Sequence, residues 1–151
     1  MGHPVVVENL GVVGRNDAGE EVAIVSGVSF EIAHGEVVAL IGESGSGKST
    51  IALALLGYAR PGCHFRGGRV VIGGEEILSL SPADRARIRG RRVAYVAQSA
   101  AAAFNPSKRI LPQVIESARI HATMTAGHAT RRAVDLLEAL VDRDGADGDR
   151  A

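Results

Sequence analysis

The first third of the chain alternates short apolar runs with turns. β-branched residues dominate positions 5–13 and indicate a strand. Asn, Asp and Gly at residues 16–20 predict a turn. Residues 22–25 and 28–32 resume strand character, and the second of these runs alternates apolar and polar positions. The uninterrupted apolar run 37–41 is typical of a strand that is buried on both faces, so the pattern predicts a β-rich beginning.

A glycine-rich loop follows this last run and precedes a helix that we predict over residues 49–56. Gly57 can end that helix, because glycine readily adopts the left-handed conformation of a helix C-cap. Residues 69–72 and 75–78 flank a Gly-Gly pair, which is the pattern of a hairpin. The sequence therefore returns to β structure after one helix.

The remainder of the chain is mainly helical in pattern. Residues 81–90 begin with serine, proline and an early acid, the order that a helix start requires. Residues 93–96 predict one further strand, and residues 114–121 predict a helix. Apolar residues at i, i+3, i+4 and i+7 make 131–141 the clearest amphipathic helix. Asp, Gly and Arg in residues 142–151 predict a loop.

Composition excludes several classes of protein. The 151 residues carry 17 Lys+Arg and 17 Asp+Glu, whereas an electrostatically driven nucleic-acid binder would be strongly basic. One cysteine excludes a disulfide framework and indicates a reducing compartment. The sequence shows no signal peptide and no apolar run near the roughly 18–20 residues that cross a bilayer. We expect one domain that is soluble, or peripheral to a membrane at most.

Residues 42–49 match the phosphate-binding pattern GxxxxGK[ST] without a substitution, between a predicted strand and a predicted helix. Glycines in such a loop let backbone N–H groups point at phosphate oxygens, and the helix N-terminus adds partial positive charge. Lys48 would reach the β and γ phosphates, and the Ser49 hydroxyl would coordinate Mg²⁺. A flexible Gly/Ser linker is the alternative, and the flanking strand and helix argue against it. The candidate nucleotide-binding residues are Gly42, Glu43, Ser44, Gly45, Ser46, Gly47, Lys48, Ser49 and Thr50.

The phosphate loop alone does not choose a reaction, because kinases, GTPases and transport ATPases share it. Residues 27–50, however, resemble the nucleotide-binding domain of an ATP-binding-cassette (ABC) protein. GESGSGKST, preceded by GVSFEI and GEVVALIG, resembles the branch that contains dipeptide, oligopeptide and nickel importers. The likeness continues through residues 67–70, 80–92 and 93–98, and it covers roughly residues 5–141.

The resemblance implies an α/β fold of the P-loop NTPase class, namely a truncated ABC-type nucleotide-binding domain. It implies a core over residues 1–97, with an N-terminal β group and the phosphate loop. Residues 98–151 would hold the Q-loop and the start of a helical subdomain.

Gln98 matches the Q-loop glutamine, which in this family touches Mg²⁺ and the attacking water and hinges the helical subdomain. A lone glutamine after a strand is usually a polar loop residue, and only the phosphate loop upstream favours the other interpretation. Residues 104–106 resemble the LNP element of peptide importers. The implied catalytic residues are therefore Lys48 and Gln98, and the implied metal ligands are Ser49 and Gln98.

The same resemblance implies ATP and Mg²⁺ as cofactors, and ATP hydrolysis by a complete domain that energises import of peptides or similar small solutes. The implied partners are transmembrane permease subunits and a second ATP-binding domain in a dimer across ATP, without nucleic acid. Membrane contact would come through these partners only, at the cytoplasmic face of the cell membrane. Two alternatives stay open: a non-transport ABC ATPase that acts on DNA or the ribosome, and a degenerate fragment without nucleotide affinity.

Two departures from the family pattern limit these expectations. Residues 10–25 contain no aromatic side chain to stack on adenine, and Val13 is the position that we assign to that aromatic. The sequence also ends before the LSGGQ signature, the catalytic glutamate and the switch histidine, so it resembles the N-terminal half to two-thirds of a longer domain. Residues 139–142 resemble the acidic strand superficially, but they lie on a predicted helix, and Arg143 stands where the glutamate belongs. We expect nucleotide binding and little turnover from this chain alone.

Other candidate sites are weaker. We interpret an arginine cluster at residues 85–92 as a solvated helix face rather than a nucleic-acid site, because no aromatic residues interleave it. The five histidines lack the paired spacing of metal ligands. Cys63 lies in a Pro/Gly-rich segment and is interpreted as an inert thiol in a loop. The apolar segment 100–104 either docks on a membrane partner or packs under the helical region.

Overall fold

The computed structural model describes residues 4–99 and 103–147, and for residues 141–147 it describes the backbone alone. The chain folds as two units, Met1–Tyr95 and Val96–Ala151. The elements of the described part are, in chain order, β1 (Val5–Arg15), β2 (Glu21–Ile32), α1 (Lys48–Leu55), β3 (Cys63–Ile72), β4 (Glu75–Glu76), α2 (Pro82–Ile88), α3 (Ile110–Val114), α4 (Glu116–Ile120) and α5 (Ala126–Asp147). None of the helices in these residues is long and apolar enough to cross a bilayer.

The first unit is built on one antiparallel sheet with the strand order β2-β1-β3-β4. Val7 in β1 lies opposite Phe30 in β2 and Val70 in β3, so the valine-rich first strand occupies an interior position. The predicted hairpin is confirmed, although β4 is only two residues long. Cys63 is half-buried and begins β3. The prediction that it lies in a loop was therefore wrong, because β1 extends far enough to pair with it through Gly14.

α1 packs against this sheet and closes the core of the first unit. Its buried residues are Ile51 and Ala54, which join side chains of the sheet in one apolar cluster. That cluster of buried residues consists of Val7, Leu10, Val12, Val25, Ile51, Ala54, Val70, Ile72, Ile77 and Ile88. The helix is thereby fixed on the sheet, and so is the loop that leads into it.

Val13 belongs to the buried side of β1 and is only 2% exposed. An interior residue cannot offer a ring to a nucleotide base, so the assignment of the adenine-stacking position to Val13 was wrong. The pairing between β1 and β2 is irregular between Val12 and Val13, and both of these consecutive side chains are buried. Simple alternation along the strand does not anticipate that irregularity.

Two apolar runs that were predicted as strands are not strands. Residues 37–41 form no ladder, and Val37 and Ile41 are 93% and 94% exposed. In residues 93–96, only Val93 makes a single bridge, to Arg89, and Val96 is 90% exposed. A strand needs neighbours that take its N–H and C=O groups, and residues 4–99 and 103–147 provide none beyond this bridge.

The second unit is helical in its described residues. The helix predicted at residues 114–121 is divided between α3 and α4, which are separated by Ile115. The helix predicted at 131–141 is confirmed, but α5 continues through Asp147, so the loop prediction was wrong for 142–147. No proline interrupts this stretch, and its one glycine costs a helix only about 1 kcal/mol. Residues 148–151 and 100–102, with most of the apolar segment 100–104, lie outside the described residues.

Candidate functional site

The loop that precedes α1 depends on glycine at the position where it touches the sheet. Gly47 is buried and has a φ of +87°, a left-handed conformation that favours glycine. A Cβ on Gly47 would lie 2.9 Å from the Ile24 carbonyl oxygen and 3.2 Å from Val25 Cγ2. Gly45 has a similar φ of +86°, but a Cβ there would meet nothing within 4 Å. Gly47 is therefore required by both conformation and space, and Gly45 by conformation alone.

The Lys48 ammonium is held by its own loop. Lys48 Nζ donates hydrogen bonds to the carbonyl oxygens of Gly42, at 2.7 Å, and Glu43, and to Ser46 Oγ at 3.2 Å. The Ser46 N–H donates in turn to the Glu43 carbonyl oxygen at 3.2 Å. A positive charge thus lies in the turn that leads into the helix.

The N-terminus of α1 presents backbone N–H donors that no described residue satisfies. The N–H groups of Gly45, Gly47, Lys48 and Ser49 have no acceptor among the residues that the structure describes. Gly47 provides no side-chain cap, and the first turn of α1 carries no acidic residue. Unsatisfied donors, the partial positive charge of a helix N-terminus and an ammonium together favour an anion with several oxygen atoms.

The remaining loop positions predicted for the site are accessible. Glu43, Ser44, Ser46 and Ser49 are exposed, and Thr50 is half-buried. The described residues contain no group of three or more His, Cys, Asp or Glu side chains that could hold a metal ion. Ser49 presents an accessible hydroxyl oxygen at the second residue of α1.

Two arginine side chains, one from α2 and one from the residue that follows it, lie at the opposite end of α1. Arg89 donates from Nε to the Leu56 carbonyl oxygen at 2.8 Å and from Nη2 to that of Gly57 at 3.1 Å. Arg85 donates from Nη1 to the same Gly57 oxygen at 3.3 Å, and from Nη2 to the Leu78 carbonyl oxygen.

The prediction of a solvated arginine face was wrong for these two half-buried side chains. Both side chains are half-buried because they reach the Leu56 and Gly57 carbonyl groups at the end of α1. No local pattern in the sequence marks these two arginines, because their partners are backbone carbonyls 28 to 33 positions away. Arg87 does match the prediction, since its side chain is 79% exposed and pairs with Asp84 at 3.0 Å.

Gln98 lies in the second unit, in an exposed bend after the irregular segment 93–96. Lys48 and Ser49 belong to the first unit. The role of Gln98 at the phosphate loop therefore stays a prediction.

Sequence reasoning missed Gln113, which organises the loop before α3. Gln113 Oε1 accepts from the Asn105 N–H at 2.8 Å, and its Nε2 donates to the carbonyl oxygens of Asn105, Lys108 and Arg109 at 3.1–3.2 Å. The same loop lines a cavity of about 710 Å³ that continues along α3 and α4 to Ile120. No pattern in the sequence marks this glutamine, because its partners are backbone atoms.

Comparison with known proteins decides the family. The model of the ABC transporter family matches residues 25–147, which is most of the chain. The chain belongs to the ABC transporter family. The ABC assignment confirms the resemblance inferred from the phosphate loop and its flanking strands, as well as the α/β P-loop fold class.

Curated ABC relatives carry the names of peptide-transport proteins. The oligopeptide transport ATP-binding protein OppD of Mycobacterium bovis is 38% identical over 133 residues, covering 87% of this chain and 21% of that protein. OppD of Bacillus subtilis is 32% identical, covering 80% and 34%. The probable D,D-dipeptide transport ATP-binding protein DdpD of Escherichia coli is 36% identical, covering 80% and 37%. The chain thus spans 21% to 37% of the lengths of these three relatives.

Proposed function

We propose that the chain binds MgATP through residues 42–50. The observation that carries this proposal is the combination of the Lys48 ammonium with the unsatisfied N–H groups at the start of α1. Together they offer one full positive charge and several directed donors to a triphosphate. Membership in the ABC transporter family supports ATP as the nucleotide.

The proposal assigns phosphate binding to the loop amides and Lys48, and metal binding to Ser49. The unsatisfied backbone N–H groups at the start of α1 would bind phosphate oxygens, and Lys48 would turn its ammonium from loop carbonyls to the β and γ phosphates. Ser49 Oγ holds Mg²⁺, which neutralises phosphate charge when bound. The Q-loop match of Gln98 supports a role for this side chain in contacting Mg²⁺ and the attacking water. Hydrolysis in such a site relies on positioning and electrostatic stabilisation of an in-line water attack.

The biological role that we propose is that of an ATP-binding subunit, or part of one, in an importer of peptides or similar small solutes. The names of the relatives support this role. Residues 1–97 would form the ATP-binding core, and residues 98–151 the Q-loop and the start of the helical subdomain. Transmembrane permease subunits and a second ATP-binding domain would be its partners, at the cytoplasmic face of the membrane. A permease gene next to the coding sequence would favour this role over a DNA- or ribosome-directed ATPase.

The experiment that tests nucleotide binding is a calorimetric titration with MgATP of the wild type and Lys48→Ala. Charge-assisted hydrogen bonds contribute about 1.5–3 kcal/mol each, and at least two are lost, so affinity should fall a hundredfold or more. Lys108→Ala is the matched control, because residues 48 and 108 are the two lysines of the chain and the second is remote in sequence from the loop. Equal affinity in wild type and Lys48→Ala would refute the proposed site, and no binding by the wild type would favour a degenerate fragment.

We also propose that the 151-residue chain binds ATP without turning it over. Its sequence contains no LSGGQ signature, and residues 139–142, which resemble the acidic strand, lie within α5. A phosphate-release assay should give the same rate as buffer with nucleotide. Turnover that disappears in Gln98→Ala would contradict this expectation and would place the catalytic apparatus within the chain.

A further inference from the structure

Arg85 of α2 and Arg89, which directly follows α2, connect the C-terminal end of the phosphate-loop helix to the rest of the first unit. Arg89 and Arg85 together donate three hydrogen bonds to the carbonyl oxygens of Leu56 and Gly57, directly after α1. These bonds join residues that are 28 to 33 positions apart in sequence. They are therefore tertiary bonds rather than local capping bonds.

The chemistry at this end of α1 matches guanidinium groups. The last carbonyls of a helix have no partners within the helix, and the negative end of the helix dipole favours a cation. α1 carries no basic residue in its own last turn, so residues Lys48–Leu55 do not supply that cation. A guanidinium also donates through several N–H groups at fixed angles, which fixes orientation as well as distance.

Two further features indicate that the fold accommodates the Arg85 side chain beside the end of α1. Gly57 has a φ of +60°, and a Cβ there would lie 2.9 Å from both Arg85 Cδ and Ile77 Cγ2, so glycine leaves the space that Arg85 fills. The buried Nε of Arg85 has no hydrogen-bond partner in the described residues. Arg85 thus bears a desolvation cost in the position from which it reaches the carbonyls.

We propose that Arg85 and Arg89 are positioning residues of the phosphate loop. α1 has eight residues and a length of about 12 Å, so it acts as one short rigid segment between the arginines and Lys48. Ile51, Ala54 and Leu55 pack one side of α1 against the core. The arginines add directed hydrogen bonds at the C-terminal end, which restrain the position of the helix along its axis.

This inference rests on the proposed nucleotide site, and its test compares Arg89→Gln with Arg87→Gln in the 151-residue chain. Each variant removes one positive charge in or directly after α2, but Arg87 pairs with the Asp84 carboxylate and not with the end of α1. MgATP affinity is measured at 10 °C, with circular dichroism showing that each variant is folded. Arg89→Gln should weaken MgATP binding about tenfold, and Arg87→Gln should stay within twofold of wild type.

The second readout distinguishes positioning from mere stabilisation. A residue with only a structural role lowers the unfolding midpoint without moving loop resonances in the folded protein. Positioning predicts shifted amide NMR signals of Gly45, Gly47 and Lys48 in Arg89→Gln, with those signals unmoved in Arg87→Gln. These signals report on the inference even if the wild type binds no nucleotide, an outcome that would refute the proposed function alone.

Arg89→Lys decides the question if Arg89→Gln does not fold. Lysine keeps the charge near the end of α1 but loses the two-pronged donation to Leu56 and Gly57, so affinity should fall about threefold with smaller shifts of the same signals. Wild-type affinity and wild-type loop signals in a folded Arg89 variant overturn the proposal. Equal losses in Arg89→Gln and Arg87→Gln overturn it as well, because they would indicate a general effect of charge.

Discussion

The two ends of α1 differ in whether their backbone polar groups have hydrogen-bond partners within the protein. At the C-terminal end, the Leu56 and Gly57 carbonyls accept from arginines, and the N–H groups of both residues donate to carbonyls of the last turn. At the N-terminal end, Gly47 supplies no side-chain cap, and the first N–H groups have no acceptor in the described part of the chain. One end is satisfied by the protein itself, and the other leaves hydrogen-bonding capacity for an anion. The unsatisfied end of a buried helix is therefore the informative one for function.

Among the variants that test this comparison, Gly47→Ala should lose the most folding stability. Left-handed strain costs about 1–2 kcal/mol, and the contact of a Cβ with the Ile24 carbonyl adds about 1–3 kcal/mol. Gly45→Ala is the matched control, because it bears the strain without the contact. Urea unfolding should show a clearly larger loss for Gly47→Ala, and equal losses would mean that the loop does not press on β2.

Ser49→Ala should act on the metal alone. If its hydroxyl holds Mg²⁺, MgATP affinity falls about tenfold, whereas affinity for ATP in the presence of EDTA stays within about twofold of wild type. Ser79→Ala serves as the control, since Ser79 Oγ bonds the Glu76 carbonyl rather than the loop. A parallel loss with and without Mg²⁺ would show that Ser49 supports the fold of the loop instead.

Ser81→Ala tests the element that supports the satisfied end of α1. Ser81 Oγ accepts from the Asp84 N–H at 3.2 Å, and loss of such an N-cap costs about 1 kcal/mol of stability. Ser81→Thr keeps the cap and should unfold like wild type in a thermal melt. If Ser81→Ala melts like wild type too, the start of α2 does not depend on its cap.

The smallest expected effect concerns the nucleotide base. Phosphate contacts at the open end of α1 are shared by all nucleoside triphosphates, and residues 10–25 contain no aromatic side chain for stacking. Stacking on an aromatic side chain is worth about 1–3 kcal/mol, so without it ATP and GTP should bind within about tenfold of each other. If a competition titration shows a hundredfold preference for ATP over GTP, another group of the protein must bind adenine.

The parts of the fold that sequence predicts are those with local causes. α1 and the start of α2 depend on glycine, capping and proline positions within a few residues, and both elements appear where the pattern places them. β1, β2 and the second half of β3 were also predictable, since their apolar residues find partners in one another.

The predictions that failed depend on distant parts of the chain. Residues 37–41 have the composition of a buried strand, but composition does not provide the neighbouring strands that such a strand requires. Val13 is buried through an irregular strand pairing, and Arg85 and Arg89 are buried through carbonyls about 30 positions away. The pattern of residues along the chain indicates the chemical character of each side chain, but it does not indicate which distant residue that side chain will contact.

The exposed run at residues 37–41 has a consequence for association between molecules. It joins high β-propensity with the absence of charge and proline, the composition of segments that stack into intermolecular sheets. Glu36 and Glu43 flank the run closely and would repel the same segment on another molecule. Salt screens repulsion between exposed charges, so we expect more aggregation of the chain at high ionic strength than at low ionic strength.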